Sequence, residues 1–285
     1  MKSIDLIVAV RNEEQSLPGF VSRLEALQCG PEVSLGVVFV EDGSTDRTRE
    51  LLRDMATKNP RIKYIFLAQG FGQAPAIALG IAHSKADAVI MMDVDGGHPL
   101  DVIPQMVHEY LNGASAVQAV RRRIVERSRY RDLGTKVFNR AYRLLTGIDT
   151  NRQNVYFRLV SRDLFQSLLR NRRWTHFLRI NYRGLQHLKV SYVEFEAAER
   201  TFGVSKYNLK RLIAFAWIAT LSSMSGVRFC LLGVVAAVVA STFVAAGVPI
   251  VPWLIAVLIA GSAWQFVRLS TVDVLQRFTI VEAAL

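Results

Sequence analysis

The sequence predicts an α/β chain: a Rossmann-like domain with a mainly parallel sheet, followed by a juxtamembrane amphipathic helix and a two-helix transmembrane hairpin. Three observations carry this. Short apolar runs alternate with helical patterns over the first two-thirds of the chain, which implies βαβ units. Two long uncharged runs follow near the far end. The charge is lopsided as well: of a formal +11 over 285 residues, residues 229–285 contribute none, because Arg268 and Arg277 cancel Asp273 and Glu282.

Taken in order, the candidate strands are 4–10 (IDLIVAV), 35–41 (LGVVFVE), 62–67 (IKYIFL), 88–93 (AVIMMD) and 115–120 (SAVQAV). Helical segments at about 14–27, 46–58, 73–84 and 101–112 lie between them, each long enough for a crossover connection. Beyond residue 120 the pattern loosens, with further strands expected at 153–160 and 188–196. With 51% apolar residues the chain has ample material for a core, and its length suits one or two domains.

The polar residues gather at the strand ends. RNEE follows the first strand, EDGSTD the second, AQGFGQ the third and DVDGGHP the fourth. In open parallel sheets ligands collect outside the carboxyl ends of the strands. Each segment alone is also ordinary turn chemistry, with Ser44 or Thr45 available to cap the next helix. Four in register favour a shared crevice.

Phe229 to Ala246 carries no charge, and after GVPIVP a second uncharged run continues to Val267. A bilayer core needs about 20 apolar residues per helix, so two spans with a tight turn fit, the alternative being a buried helical hairpin. Lys206, Lys210, Arg211 and Arg228 precede the first span, Arg268 follows the second, and the connection is uncharged. The positive-inside rule then puts the large domain and the chain's last residues in the cytoplasm, in a multi-pass protein of the cytoplasmic membrane. Residues 206–227 begin basic and turn apolar, as expected of an interfacial helix. MKSIDLIVAVRNEE has too short an apolar run for a signal peptide, and Cys29 and Cys230 have neither disulfide nor metal spacing.

Asp93 and Asp95 stand at i and i+2 where the fourth strand runs out. Two such carboxylates can share a divalent cation, Mg2+ or Mn2+, that also takes substrate phosphates. QGFGQAPA lacks the Gly-x-Gly-x-x-Gly spacing and no Walker Gly-Lys-Ser/Thr occurs, which argues against a dehydrogenase or a P-loop enzyme. His98 before Pro99 reads as a turn residue rather than a base. Residues 121–143 hold eight arginines and a lysine against Glu126 and Asp132. Such a cluster beside a membrane anchor grips an anionic head group or simply attracts anionic lipid. Nucleic acid is not among the expected partners.

AVRNEEQS, VEDGSTDRT, DVDGGHP and RTFGVSKYNLKRL together resemble the membrane-anchored polyprenyl-phosphate glycosyltransferases of glycosyltransferase family 2. The resemblance implies a GT-A nucleotide-sugar domain over residues 1–205, an interfacial helix over 206–228, the two spans within 229–267 and a cytoplasmic tail over 268–285. It implies a nucleotide-binding set of Ala9, Arg11, Glu13, Asp42, Asp93, Val94 and Asp95. Metal and donor phosphate fall to Asp93 and Asp95, with Arg200, Ser205 and Lys206 closing over the diphosphate and Lys206 stabilising its charge. Arg121, Arg123 and Arg131 are implied for the lipid phosphate. The activity implied is inverting, metal-dependent transfer of one sugar from a UDP- or GDP-sugar to undecaprenyl or another polyprenyl phosphate. A phosphate monoester with a second pKa near 6 is already an oxyanion, so no general base is needed.

A homo-oligomer is compatible with this, and another protein is expected to move the product across the membrane. A different lipid acceptor, or a non-catalytic nucleotide-sugar-binding role, are the alternatives. Three departures from the family pattern matter: Ala9 replaces a Pro, Arg11 a Tyr near the base, and Gly97 a Gln that helps ligate the metal.

Overall fold

The computed structural model describes residues 1–94, 96–121, 140, 143, 144, 156–170, 188–196 and 280–285. Its strands are β1 (Lys2–Val10), β2 (Val33–Glu41), β3 (Ile62–Leu67), β4 (Ala88–Met92), β5 (Ala116–Arg121), β6 (Arg158–Ser161), β7 (Val190–Phe195) and β8 (Ile280–Ala284). They form one sheet in the order β7-β5-β6-β4-β1-β2-β3-β8. All lie in one compact unit made of Met1–Val125, Arg152–Ser205 and Asp273–Leu285. Of a second unit, Glu126–Asn151 with Lys206–Val272, the described residues are Arg140, Arg143 and Leu144.

Helices cover both faces of the sheet. Along β1, Ile4, Leu6, Val8 and Val10 point to one core and Ile7 to the other, the period of two that a strand imposes. The first core takes helices α1 (Leu17–Glu25), α2 (Thr48–Lys58) and α4 (Ile103–Leu111), through Phe20, Leu52 and Met106. The second takes α3 (Gln73–His83) and α5 (Arg162–Arg170), through Ile77 and Phe165. Helix α3 lies close on the sheet because position 80 is glycine: a Cβ there would meet Ile7 Cγ2 at 2.6 Å and Val40 Cγ2 at 2.9 Å. Strand β4 is buried at all five residues, as a central strand covered on both faces must be.

Four helices and the first five strands fall within three residues of their expected places. The sheet is mainly parallel, as expected, with antiparallel strands mixed into it. Strands β1, β2, β3 and β4 pair in parallel, as do β5 and β7, whereas β6 runs antiparallel to both β4 and β5. The expected strand at 153–160 appears as β6, and its residues 153–155 lie outside the described set. Strand β8 was not anticipated, because five residues near the end of the chain carry no alternation strong enough to mark them. Among the described residues no helix is long and apolar enough to cross a membrane. The expected spans and the interfacial helix lie outside the described residues.

Strand β8 pairs antiparallel with β3, and its Glu282 accepts hydrogen bonds from Arg53 and from the Tyr64 hydroxyl. Arg53 first and Tyr64 second pull the Glu282 carboxyl down to about 2 from an ordinary 4.5. A depressed carboxylate contributes stability in full above its unfolded value and loses it as pH falls through the folded one. Glu282→Gln is therefore expected to melt below the unaltered protein at pH 7, with the gap closing as pH falls from 4.5 to about 2 because only the unaltered protein loses this contribution there. Identical acid limbs would contradict it.

Candidate active site

The parallel register brings four strand ends to one edge. Val10 stands opposite Glu41, Glu41 opposite Phe66, and Val8 opposite Met92. The residues that follow each strand therefore emerge together, as the sequence pattern requires.

Hydrogen bonds join these ends into one chain of contacts. Between the first and second, the backbone N–H of Asn12 donates to Ser44 Oγ at 2.9 Å, that of Thr45 to Asn12 Oδ1 at 2.8 Å, and that of Glu13 to Thr48 Oγ1 at 3.0 Å. Asn12 adopts φ 56°, a left-handed conformation that asparagine tolerates better than most residues. Between the second and third, Asp42 accepts from the N–H groups of Phe71 at 2.6 Å and Gly72 at 2.9 Å. Between the third and fourth, the Gln73 amide donates to Asp93 Oδ1. Within the fourth, the Asp93 N–H donates to His98 Nδ1 at 2.9 Å.

That last bond fixes the imidazole. A ring nitrogen that accepts carries no proton, so His98 in this arrangement holds its proton on Nε2. Its ring is buried and stacks on Phe157 at 5.0 Å between centroids. His98 thus shapes the turn, in line with the sequence reading. Asp93 Oδ2 lies 3.8 Å from His98 Nδ1, and the Asp93 side chain is 27% exposed.

Asp42 sits in a more enclosed place. Burial pushes its carboxyl up, against the N–H groups of Phe71 and Gly72 and the Arg11 guanidinium, which pull it down. Arg11 lies close over Gly70, where a Cβ would meet its Nη1 at 2.6 Å. Beside Asp42, the buried Glu41 accepts from Arg49 Nε at 2.5 Å, and Arg49 Nη2 also donates to the Leu67 carbonyl at 2.6 Å. The Ser44 N–H donates to the other Glu41 oxygen.

The structure thus brings Arg11, Glu13, Asp42 and Asp93 to one edge of the sheet. Ala9 is only partly buried and packs against the second core. The Val94 side chain is buried in the first core. Arg121 ends β5, exposed. Because β5 runs parallel to β4 two strands away, Arg121 emerges at the same sheet edge as Asp93, roughly 10 Å along it. Asp95, Arg123, Arg131, Arg200, Ser205 and Lys206 lie outside the described residues. Gln73 and the Glu41–Arg49 pair were missed; the polar AQGFGQ stretch pointed to the first, while the second reads in the sequence as a solvated charge run.

Residues 5–169 match the family model described as "Glycosyl transferase family 2". The chain belongs to glycosyl transferase family 2. It is 32% identical over 210 residues to the bactoprenol glucosyl transferase of Shigella phage SfV, a match covering 72% of this chain and 66% of that one. It is 29% identical over 242 residues to the undecaprenyl-phosphate 4-deoxy-4-formamido-L-arabinose transferase of Aeromonas hydrophila, covering 84% and 73%. The chain thus matches just under two-thirds of the length of the phage relative. Among solved structures, glucosyl-3-phosphoglycerate synthase from Mycobacterium tuberculosis, in complex with Mn2+ and UDP-glucose, superposes with a TM-score of 0.55. That match covers 78% of this chain and 79% of the other at 18% identity, which speaks to the fold.

For a family 2 domain, the chemistry of the donor set decides whether a metal fits. The Asp93 carboxylate and the Gln73 amide offer hard oxygen ligands of the kind Mg2+ and Mn2+ prefer. Among the described residues no group of three or more His, Cys, Asp or Glu stands close enough to hold an ion alone. The described set therefore suits a metal whose remaining ligands come from elsewhere, substrate phosphates among them.

Proposed function

We propose that the protein transfers a single sugar, with inversion, from a UDP- or GDP-sugar to a polyprenyl phosphate such as undecaprenyl phosphate at the cytoplasmic face of the membrane. The carrying observation is the chain of contacts from Asn12 through Asp42 and Gln73 to Asp93, at the carboxyl edge of a family 2 sheet. The names of the phage and Aeromonas relatives support the acceptor class.

In this reading Glu13, Asp42 and Arg11 hold the nucleoside. Asp93 and Asp95 would hold Mg2+ or Mn2+, which supplies neutralisation of the diphosphate as it leaves. Arg200, Ser205 and Lys206 close over that diphosphate, and Lys206 adds fixed positive charge. Arg121, with Arg123 and Arg131, orients the lipid phosphate through bidentate contacts. The lipid oxyanion then attacks the anomeric carbon from the face opposite the leaving group. His98 takes no proton in this scheme. Two spans within 229–267 anchor the domain beside its acceptor.

Chelation tests the metal requirement. Transfer is expected to stop in excess EDTA and return on addition of Mg2+ or Mn2+, and undiminished transfer in EDTA would remove the metal from the scheme.

A further inference from the structure

Strand β8 covers the edge that β3 would otherwise expose, and it does so up to the last residue of β3. Phe66 pairs with Glu282 and Leu67 with Ile280. At that level Glu282 accepts from Arg53 Nε at 3.0 and 3.1 Å, from Arg53 Nη2 at 2.5 Å and from Tyr64 Oη at 2.7 Å. Tyr64 stacks on Phe66 with centroids 4.4 Å apart, and Arg53 and Arg49 lie 5.1 and 5.6 Å from the Phe66 ring.

Arg49 and Arg53 are one helical turn apart on α2. The second clasps β8, and the first joins Glu41 to the Leu67 carbonyl. That carbonyl is where the loop to α3 departs, and the loop returns two N–H groups to Asp42 within five residues. A strand with no neighbour on one side leaves its backbone groups to solvent and its end to fray. Here the end is held from both sides.

We propose that β8 is a positioning strand for the donor pocket, with Glu282 as its positioning residue: through Arg53, α2 and the end of β3 it holds the loop around Asp42 in the form that receives the nucleotide. This rests on the reading of Asp42 as a nucleoside-facing residue. The benefit is preorganisation, since a loop already ordered loses less freedom when ligand arrives. It also ties donor binding to the segment that follows residue 267, more than two hundred positions from the pocket it supports.

The experiment measures UDP and GDP binding by calorimetry on the whole chain in detergent, alongside the KM for undecaprenyl phosphate and the melting temperature. The proteins compared are the unaltered chain, a variant lacking residues 280–285, Glu282→Ala, Arg53→Glu and the charge-swapped double variant. Removal of the strand is expected to weaken nucleotide binding about tenfold and Glu282→Ala about threefold, with the acceptor KM within twofold. The swap is expected to recover part of either single loss. Unchanged nucleotide affinity without the strand would overturn the proposal. So would donor affinity and acceptor KM worsening together in step with melting temperature, which marks general destabilisation. A swap that recovers nothing removes the role from Glu282. Asp42→Ala separates the two readings: if the unaltered chain binds nucleotide and Asp42→Ala leaves that binding intact, the pocket assignment itself fails.

Discussion

Asp93→Ala is expected to lower sugar transfer on the order of a hundredfold or more, the scale seen when a preorganised group that stabilises charge in the transition state is lost. The fold should not follow. Its backbone N–H, not its carboxylate, makes the bond to His98 that shapes the turn, and its side chain is partly exposed rather than packed. Its side chain accepts a hydrogen bond from Gln73, itself only half-buried. Circular dichroism and melting temperature are thus expected to stay close to those of the unaltered protein while kcat falls. Transfer within threefold of normal would remove Asp93 from the machinery.

Gly43→Ala is expected to damage the other half of the site. Gly43 has φ +71°, which costs an L-residue about 1–2 kcal/mol. The added Cβ would also lie 2.5 Å from the Gly70 nitrogen and 2.8 Å from the Gln69 carbonyl carbon, both backbone atoms that cannot swing aside. The loop that donates from Phe71 and Gly72 to Asp42 must then move. Nucleotide affinity is expected to drop at least about tenfold, equivalent to roughly 1.4 kcal/mol, with a lower melting temperature. Normal nucleotide affinity in Gly43→Ala would show that this loop does not shape the donor pocket.

These two positions also show what a sequence can and cannot disclose. The first five strands and four helices were legible because local periodicity marks them. The place of Asp93 was legible too, since it directly follows an apolar run that forms a buried strand. Asp42 could be placed at a strand end, but its capture by two N–H groups of a loop thirty residues on could not, because no local pattern encodes it. The side chain of Val94, which the sequence groups with its acidic neighbours, is buried in the first core.

The antiparallel course of β6 was hidden because no local pattern encodes it either. The direction of β6 depends on what connects it to β5, and strand periodicity carries no sign of direction. Strand β8 is short and half-exposed, so neither hydropathy nor alternation distinguishes it from an ordinary chain end. Its partners Arg53 and Tyr64 lie more than two hundred positions away. The glutamate that anchors it was read only as one charge in a neutral tally.

The central claim is that the site at this sheet edge moves a sugar from a nucleotide to a polyprenyl phosphate. Mass spectrometry of the lipid fraction tests it most directly, after the purified chain is incubated with undecaprenyl phosphate, a panel of UDP- and GDP-sugars, and Mg2+ or Mn2+. The account predicts one donor class converted to a single glycosyl phosphodiester of the lipid, with that product lost in Asp93→Ala. Nucleotide binding without any lipid product across the whole panel would contradict it.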